Sequence, residues 1–251
     1  MTHPVFGVLI FCLGQLIAGF TPPLTIHLIG DSTMSTYPDD YYPRMGWGQV
    51  LDTLFNAEVA VNNRAVSGQS TRSFISRGHW ASVIEQIRED DYLFIQFGHN
   101  DQKQDNPEKY AAAEGEFQDN LRLFVRVARQ KGCHPVLLTP VARRRFRNGM
   151  PYSSHEGYPE AVRHVAEEEK VPLIDLHTRS LNELATLGPE GSKALYLWLD
   201  SGRYAHWPQG QRDDTHFSEY GALQVSRWAA EAIVDLNLPL QEYLLDSVSV
   251  E

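Results

Sequence analysis

A doubly wound α/β fold is what this sequence predicts, and three observations carry the prediction. Strand and helix patterns alternate along the chain from Leu24 to Leu238. Several strands are continuous apolar runs, such as Tyr92-Leu93-Phe94-Ile95, which implies a parallel sheet covered on both faces. Short polar segments containing glycine follow the strands directly, where folds of this kind place their sites.

The elements follow in order. Residues 24–29 read as the first strand, ended by Gly30-Asp31-Ser32. Residues 46–55 read as a short helix and 57–61 as the second strand. Residues 70–88 carry a helical pattern, and 92–97 form the third strand, stopped by Gly98. Phe117, Leu121, Phe124, Val125 and Ala128 recur at helical spacing, and Gly132 is a suitable stop. Residues 136–139 form a fourth strand, 159–169 a helix, 172–175 a fifth strand and 217–238 a long final helix. No internal repeat or linker interrupts the series, so residues 21–251 read as one domain.

The balance of 22 basic against 32 acidic residues gives a net charge of −10, and 42% of the 251 residues are hydrophobic. Disorder is excluded by that apolar content. Nucleic acid is disfavoured as a partner, because phosphate binding needs a wide basic face. A local basic pocket can still hold an anionic substrate. Residues 5–20 carry no Lys, Arg, Asp or Glu. That run is shorter than the ~18–20 apolar residues of a membrane span and resembles the apolar stretch of a secretory leader. Residues 1–20 are therefore expected to be a signal peptide. The mature chain would be secreted or periplasmic, have no stable membrane span, and keep only Cys133, with no internal disulfide partner.

Four segments carry chemistry. In Gly30-Asp31-Ser32-Thr33, a serine at a strand end can present its hydroxyl to a cleft, although capping would use the same residue types. In Asn63-Arg64-Ala65-Val66-Ser67-Gly68, the glycine lets backbone approach a ligand, or simply makes a turn. In Gly98-His99-Asn100-Asp101, Asn100 can aim an amide N–H at a developing oxyanion, or serve the turn. In Asp213-Asp214-Thr215-His216, the histidine can act as general base. Spacing alone allows either aspartate to orient it.

Gly30-Asp31-Ser32, Gly68, Gly98-x-Asn100-Asp101 and Asp213-x-x-His216 together resemble, in order, the four blocks of the SGNH (GDSL) hydrolases. The resemblance spans about residues 24–235. It implies a three-layer α/β/α sandwich with a five-stranded parallel sheet, and a Ser-His-Asp carboxylic ester hydrolase. Ser32 would be the nucleophile, His216 the base and Asp213 its orienter. The N–H groups of Ser32 and Gly68 and the Asn100 amide would form the oxyanion hole.

Gly46-Trp47-Gly48, the 65–74 stretch and Thr139-Pro140-Val141-Ala142-Arg143-Arg144-Arg145-Phe146 further resemble the rhamnogalacturonan acetylesterase branch. That branch implies an acetylated, uronate-containing polysaccharide or oligosaccharide as partner. Arg143 and Arg144 are candidates for its carboxylates, because guanidinium groups fork onto carboxylates. Pairing with the protein's own acids is the competing role for this cluster. Trp47, Tyr152, Trp198, Tyr204 and Trp207 are possible sugar-stacking faces or ordinary packing. No metal or cofactor motif occurs, so none is expected. Two other activities remain open: an esterase for acetylated xylan, another oligosaccharide or a lipid, and a non-catalytic carbohydrate-binding protein on the same fold.

Overall fold

The computed structural model describes residues 24–248, so the apolar segment at 5–20 lies outside the described residues. The strands are β1 (Leu24–Gly30), β2 (Arg44–Met45), β3 (Val59–Asn63), β4 (Tyr92–Gln96), β5 (His134–Leu138), β6 (Phe146–Arg147), β7 (Met150–Pro151), β8 (Leu173–Ile174), β9 (Tyr196–Leu199) and β10 (Gln211–Ser218). The α-helices are α1 (Thr71–Ser76), α2 (His79–Ile84), α3 (Glu116–Gln130), α4 (Tyr158–Glu169), α5 (Leu176–Gly191) and α6 (Glu219–Asp235).

The central sheet has the order β3-β1-β4-β5-β8, parallel throughout. Alternate residues of its strands feed two cores. Leu93 and Ile95 of β4, with Ile29 and Leu137, pack against Phe74, Trp80, Phe117, Phe124 and Val162 of α1–α4. Phe94, with Ile26, Leu28, Val136 and Leu138, packs against Leu184, Val225, Trp228 and Ile233 of α5 and α6. This is the expected three-layer α/β/α sandwich. The chain moves from β1 outward to β3, then back across β1 to β4, so the crossovers diverge there. The carboxyl ends of β1, β3 and β4 thus open one crevice.

Some elements differ from the sequence reading. Residues 46–55 form two 3₁₀ turns, Trp47–Gln49 and Leu51–Leu54, rather than an α-helix. Close packing explains the glycines there: a Cβ on Gly46 would lie 2.2 Å from the Ser35 carbonyl oxygen, and one on Gly48 2.7 Å from Leu28 Cδ1. Residues 70–88 divide into α1 and α2 at Gly78, whose φ of +79° breaks the helix. Helix α5 had no expectation behind it. Neither had the antiparallel sheet β2-β10-β9 or the β6–β7 hairpin. Phe217, read as the start of the last helix, belongs to β10, and Ser218 caps α6 by accepting from Gly221 N–H at 3.1 Å. Cys133 is a free, buried thiol that burial pushes up to about 12, as suits a packing residue.

The first turn of α6 sits directly on the chain before β9. A Cβ at Gly221 would lie 1.8 Å from the Leu195 carbonyl oxygen. Gly221→Ala is expected to cost about 2–3 kcal/mol through forced backbone displacement. Denaturant unfolding checks this, and wild-type stability would contradict the packing described.

Candidate active site

The turn after β1 is built by Asp31. Its fully buried carboxylate accepts from Thr33 N–H and Thr33 Oγ1–H, both at 2.9 Å, and from His99 Nδ1 at 3.1 Å. Burial opposes the charge, yet His99 and these hydrogen bonds hold the carboxyl below its ordinary range. Burial likewise lowers the His99 imidazole, so a neutral ring donates to Asp31. Gly30 is required just before this turn, since a Cβ there would come 2.7 Å from the Gln96 carbonyl oxygen. Tyr37 OH donates to the Ser32 carbonyl at 2.7 Å and accepts from Arg44 Nη2 at 2.9 Å. The Ser32 backbone is thereby fixed at the mouth of the crevice.

His216 reaches Ser32 through a defect in the small sheet. Asp213 pairs with Leu197, but Phe217 pairs with Tyr196, so residues 214–216 bulge out of the ladder. Bulges re-aim side chains in this way. His216 Nε2 lies 2.9 Å from Ser32 Oγ, and Nδ1 lies 2.7 Å from Asp213 Oδ2. Asp213 Oδ1 accepts from the N–H groups of Thr215 and His216 at 2.8 and 3.0 Å. Burial disfavours the Asp213 charge, but these donors and His216 outweigh it and bring the carboxyl down to about 2. An ionised Asp213 keeps a proton on Nδ1 and leaves Nε2 bare toward the serine.

The two aspartates, equivalent by spacing, point in different directions, and Asp213 is the one that meets the imidazole. Asp214 turns away from the imidazole. It takes Arg144 Nη1 at 2.9 Å, Trp198 Nε1 at 2.9 Å and Arg145 Nη1 at 3.5 Å.

Gly68 and Asn100 come together through Gln69, whose carbonyl accepts from Asn100. Gly68 has φ +77° in a turn closed by Gln69 N–H to the Val66 carbonyl at 3.2 Å. Asn100 is buried, and its Nδ2 donates one proton to the Gln69 carbonyl at 2.9 Å. An amide nitrogen has two protons, so one remains for a ligand. Asn100 Oδ1 accepts from Lys103 Nζ at 2.8 Å. Asp101 ties this loop to α1 by accepting from Thr71 N–H, Thr71 Oγ1–H and Gly98 N–H at 2.8, 2.6 and 3.1 Å. Burial pushes its carboxyl up to about 7 against those donors.

The arginines divide. Arg143 Nη2 donates to the His99 carbonyl at 3.1 Å, which sets its half-buried guanidinium beside the site. Arg144 is buried against Asp214 and the Pro189 carbonyl, with Trp198 over its guanidinium at 4.6 Å. It therefore has the internal acidic partner that was the competing reading. Among the aromatics, Trp47 is fully buried, its Nε1–H donating to Gln96 Oε1 at 2.9 Å. Tyr204 and Trp207 lie on the 200–210 loop beside Tyr42 and Tyr41. Sequence reasoning gave no role to Asp31, His99, Tyr37, Arg44 or Lys103. Asp31 and His99 sit inside the motifs that were read, whereas the Tyr37–Arg44 pair and the lysine had no local signal. Among the described residues, no group of three His, Cys, Asp or Glu side chains could hold a metal ion.

Residues 28–223 match the GDSL-like lipase/acylhydrolase family. The chain is 43% identical over 224 residues to the rhamnogalacturonan acetylesterase RhgT of Bacillus subtilis (strain 168), covering 89% of this chain and 95% of that protein. It is 36% identical over 220 residues to the probable rhamnogalacturonan acetylesterase YesY of the same strain, covering 88% and 97%. Its fold is similar to the crystal structure of protein YXIM from B. subtilis, with a TM-score of 0.75, 29% identity and coverage of 86% of this chain and 58% of that longer one. The acetylxylan esterase Axe2 from Geobacillus stearothermophilus shares the fold at a TM-score of 0.61 and 19% identity, over 84% and 94%. The match across most of the chain, on a parallel sheet whose strand ends gather the four motifs, places this protein in the GDSL-like lipase/acylhydrolase family.

Proposed function

We propose that the protein is a serine acetylesterase that deacetylates rhamnogalacturonan. The observation that carries the reading is the continuous chain from Ser32 Oγ through His216 to Asp213, at 2.9 and 2.7 Å. Similarity to a rhamnogalacturonan acetylesterase, and to a second protein named a probable one, over nearly their full length supports the substrate. In this mechanism His216 Nε2 takes the Ser32 proton as Oγ bonds to the acetyl carbonyl carbon. The resulting oxyanion is held by the N–H groups of Ser32 and Gly68 and by the second Asn100 amide proton. The ester C–O bond then breaks, and His216 returns its proton to the departing sugar hydroxyl. Water, deprotonated by His216, attacks the acetyl-serine carbonyl carbon. The bond from that carbon to Ser32 Oγ breaks, His216 returns the proton to Oγ, and acetate leaves. Arg143 is the guanidinium this reading assigns to a uronate, supported by its position against the His99 carbonyl beside the site. Arg144, paired with Asp214, is a positioning residue for the 213–216 bulge rather than a substrate contact. The charge-free run at 5–20 supports export of the protein to the periplasm or medium, where such a polymer is met.

Asn100→Ala is expected to lower kcat on an aryl acetate by about 10²–10³-fold, the effect of losing one oxyanion donor. An unchanged kcat would remove the amide from the site. Substrate is tested by acetate release from acetylated rhamnogalacturonan, acetylated xylan and an aryl acetate, with Ser32→Ala as control. Strong Ser32-dependent release from the pectic polymer is expected. Equal release from xylan would retain the serine esterase and discard the pectic assignment.

A further inference from the structure

The oxyanion side of the crevice carries a second feature that the triad does not explain. Three cations converge there on the loops after β4 and β5. Lys103 Nζ is 2.8 Å from Asn100 Oδ1, and the side chain is otherwise exposed. Lys109 Nζ is the atom nearest to where a Cβ on Gly68 would project, at 3.6 Å. Arg143 is held against the His99 carbonyl, one residue before Asn100. Burial, then the charges of Lys109 and Arg143, lowers the Lys103 ammonium, so the three positive groups feel one another. Among the described residues, none of the three has a carboxylate within ion-pair distance. The neighbouring acids Asp31 and Asp105 act on Lys103 only at longer range. Elsewhere the chain pairs its arginines closely, as in Arg122–Glu168 at 2.7 Å and Arg163–Asp175 at 3.1 Å. In a protein of net charge −10, a cation cluster with no direct ion pair, its nearest acids Asp31, Asp105 and Asp213 acting only at longer range, is a local reversal of sign, of the kind that concentrates an anionic ligand.

We propose that Lys103 and Lys109, with Arg143, form a cradle for the carboxylate of a uronate residue of the bound polysaccharide. The inference rests on the proposed polysaccharide esterase reading and adds the side chains that select a uronate over a neutral sugar. The loop that supplies both lysines is anchored at its ends: Asp101 holds Thr71 and Gly98, and the Asp101 carbonyl accepts from Ala111 N–H at 3.1 Å. The ammonium groups are therefore presented from fixed backbone. Lysine suits such a position because its compact charge meets a carboxylate from many angles.

The test uses inhibition of aryl acetate hydrolysis, so it does not depend on which polymer is deacetylated. Digalacturonate is compared with the neutral disaccharide galactobiose as a competitive inhibitor. Wild-type protein is expected to bind digalacturonate more tightly, with an advantage that shrinks as salt is added. Lys109→Gln and Lys103→Gln should each raise the inhibition constant for digalacturonate by about threefold, and the double variant by about tenfold, as for exposed ion pairs. The constant for galactobiose should not move, and Lys109→Arg should retain most of the wild-type affinity. Should Lys103→Gln lose turnover because Asn100 has lost its partner, the Lys109 variants decide alone. No preference for digalacturonate in wild type, or equal loss of both sugars in Lys109→Gln, would overturn the cradle. Failure to deacetylate rhamnogalacturonan combined with lysine-dependent binding of digalacturonate would overturn only the choice of rhamnogalacturonan as the polymer.

Discussion

Ser32→Ala is expected to lower kcat for acetyl-ester hydrolysis by at least about 10⁴-fold, the scale on which losing a triad nucleophile acts. Removing Oγ deletes the atom that bonds to the acetyl carbon and leaves His216 with nothing to deprotonate but water. The fold should be unaffected. The Ser32 hydroxyl has His216 as its partner, whereas the turn around it is held by Asp31 and by Tyr37 OH on the Ser32 carbonyl. Steady-state kinetics beside thermal unfolding would check both statements. Near-normal acetate release from a correctly folded variant would remove Ser32 from the mechanism.

Asp213→Asn should cost about 10³–10⁴-fold in kcat with little change in KM. The asparagine oxygen can still accept from the N–H groups of Thr215 and His216, so the bulge is retained. Its amide nitrogen then faces His216 Nδ1 as a donor. That forces the imidazole proton onto Nε2, where it points at Ser32 and blocks proton abstraction. A second consequence concerns acid stability. The folded carboxyl titrates at about 2, below the ordinary 3.8, so its stabilising share is complete above that ordinary value. It is lost as pH falls toward about 2. Unfolding measured between pH 5 and 2 should fall less steeply in Asp213→Asn than in wild type. Parallel curves, or an Asp213→Asn enzyme with wild-type kcat, would show that this carboxylate neither carries the pairing nor sets the tautomer.

The site was more legible in the sequence than the architecture around it, for a topological reason. Motifs that follow β1, β3 and β4 must meet at one sheet edge, because parallel strands end on the same side. Gly30-Asp31-Ser32, Gly68 and Asn100 could therefore be brought together without knowing a single side-chain contact. Which aspartate faces His216 was not readable from spacing, and only the family resemblance pointed to Asp213, since the geometry depends on the bulge between β10 and β9, a property of two strands 12 or more residues apart. The small antiparallel sheet was hidden for a related reason. The β10 segment Gln211-Arg212-Asp213-Asp214-Thr215-His216 is polar throughout, so no alternation marks it as a strand. The 3₁₀ turns at 47–54 replaced a helix because Gly46 and Gly48 are there for contact with Ser35 and Leu28, which local periodicity does not reveal. The arginine run shows the same limit: Arg143 and Arg144 are adjacent, yet one lies beside the crevice and the other is closed off by Asp214, 70 positions later.

The most direct measurement is covalent trapping of the nucleophile. Protein treated with a fluorophosphonate would be digested and mapped by mass spectrometry, with esterase activity followed on the same samples. The account predicts one label per chain, located on Ser32, and loss of activity in proportion to labelling. Modification at another residue, or full activity in protein whose Ser32 is quantitatively labelled, would contradict it.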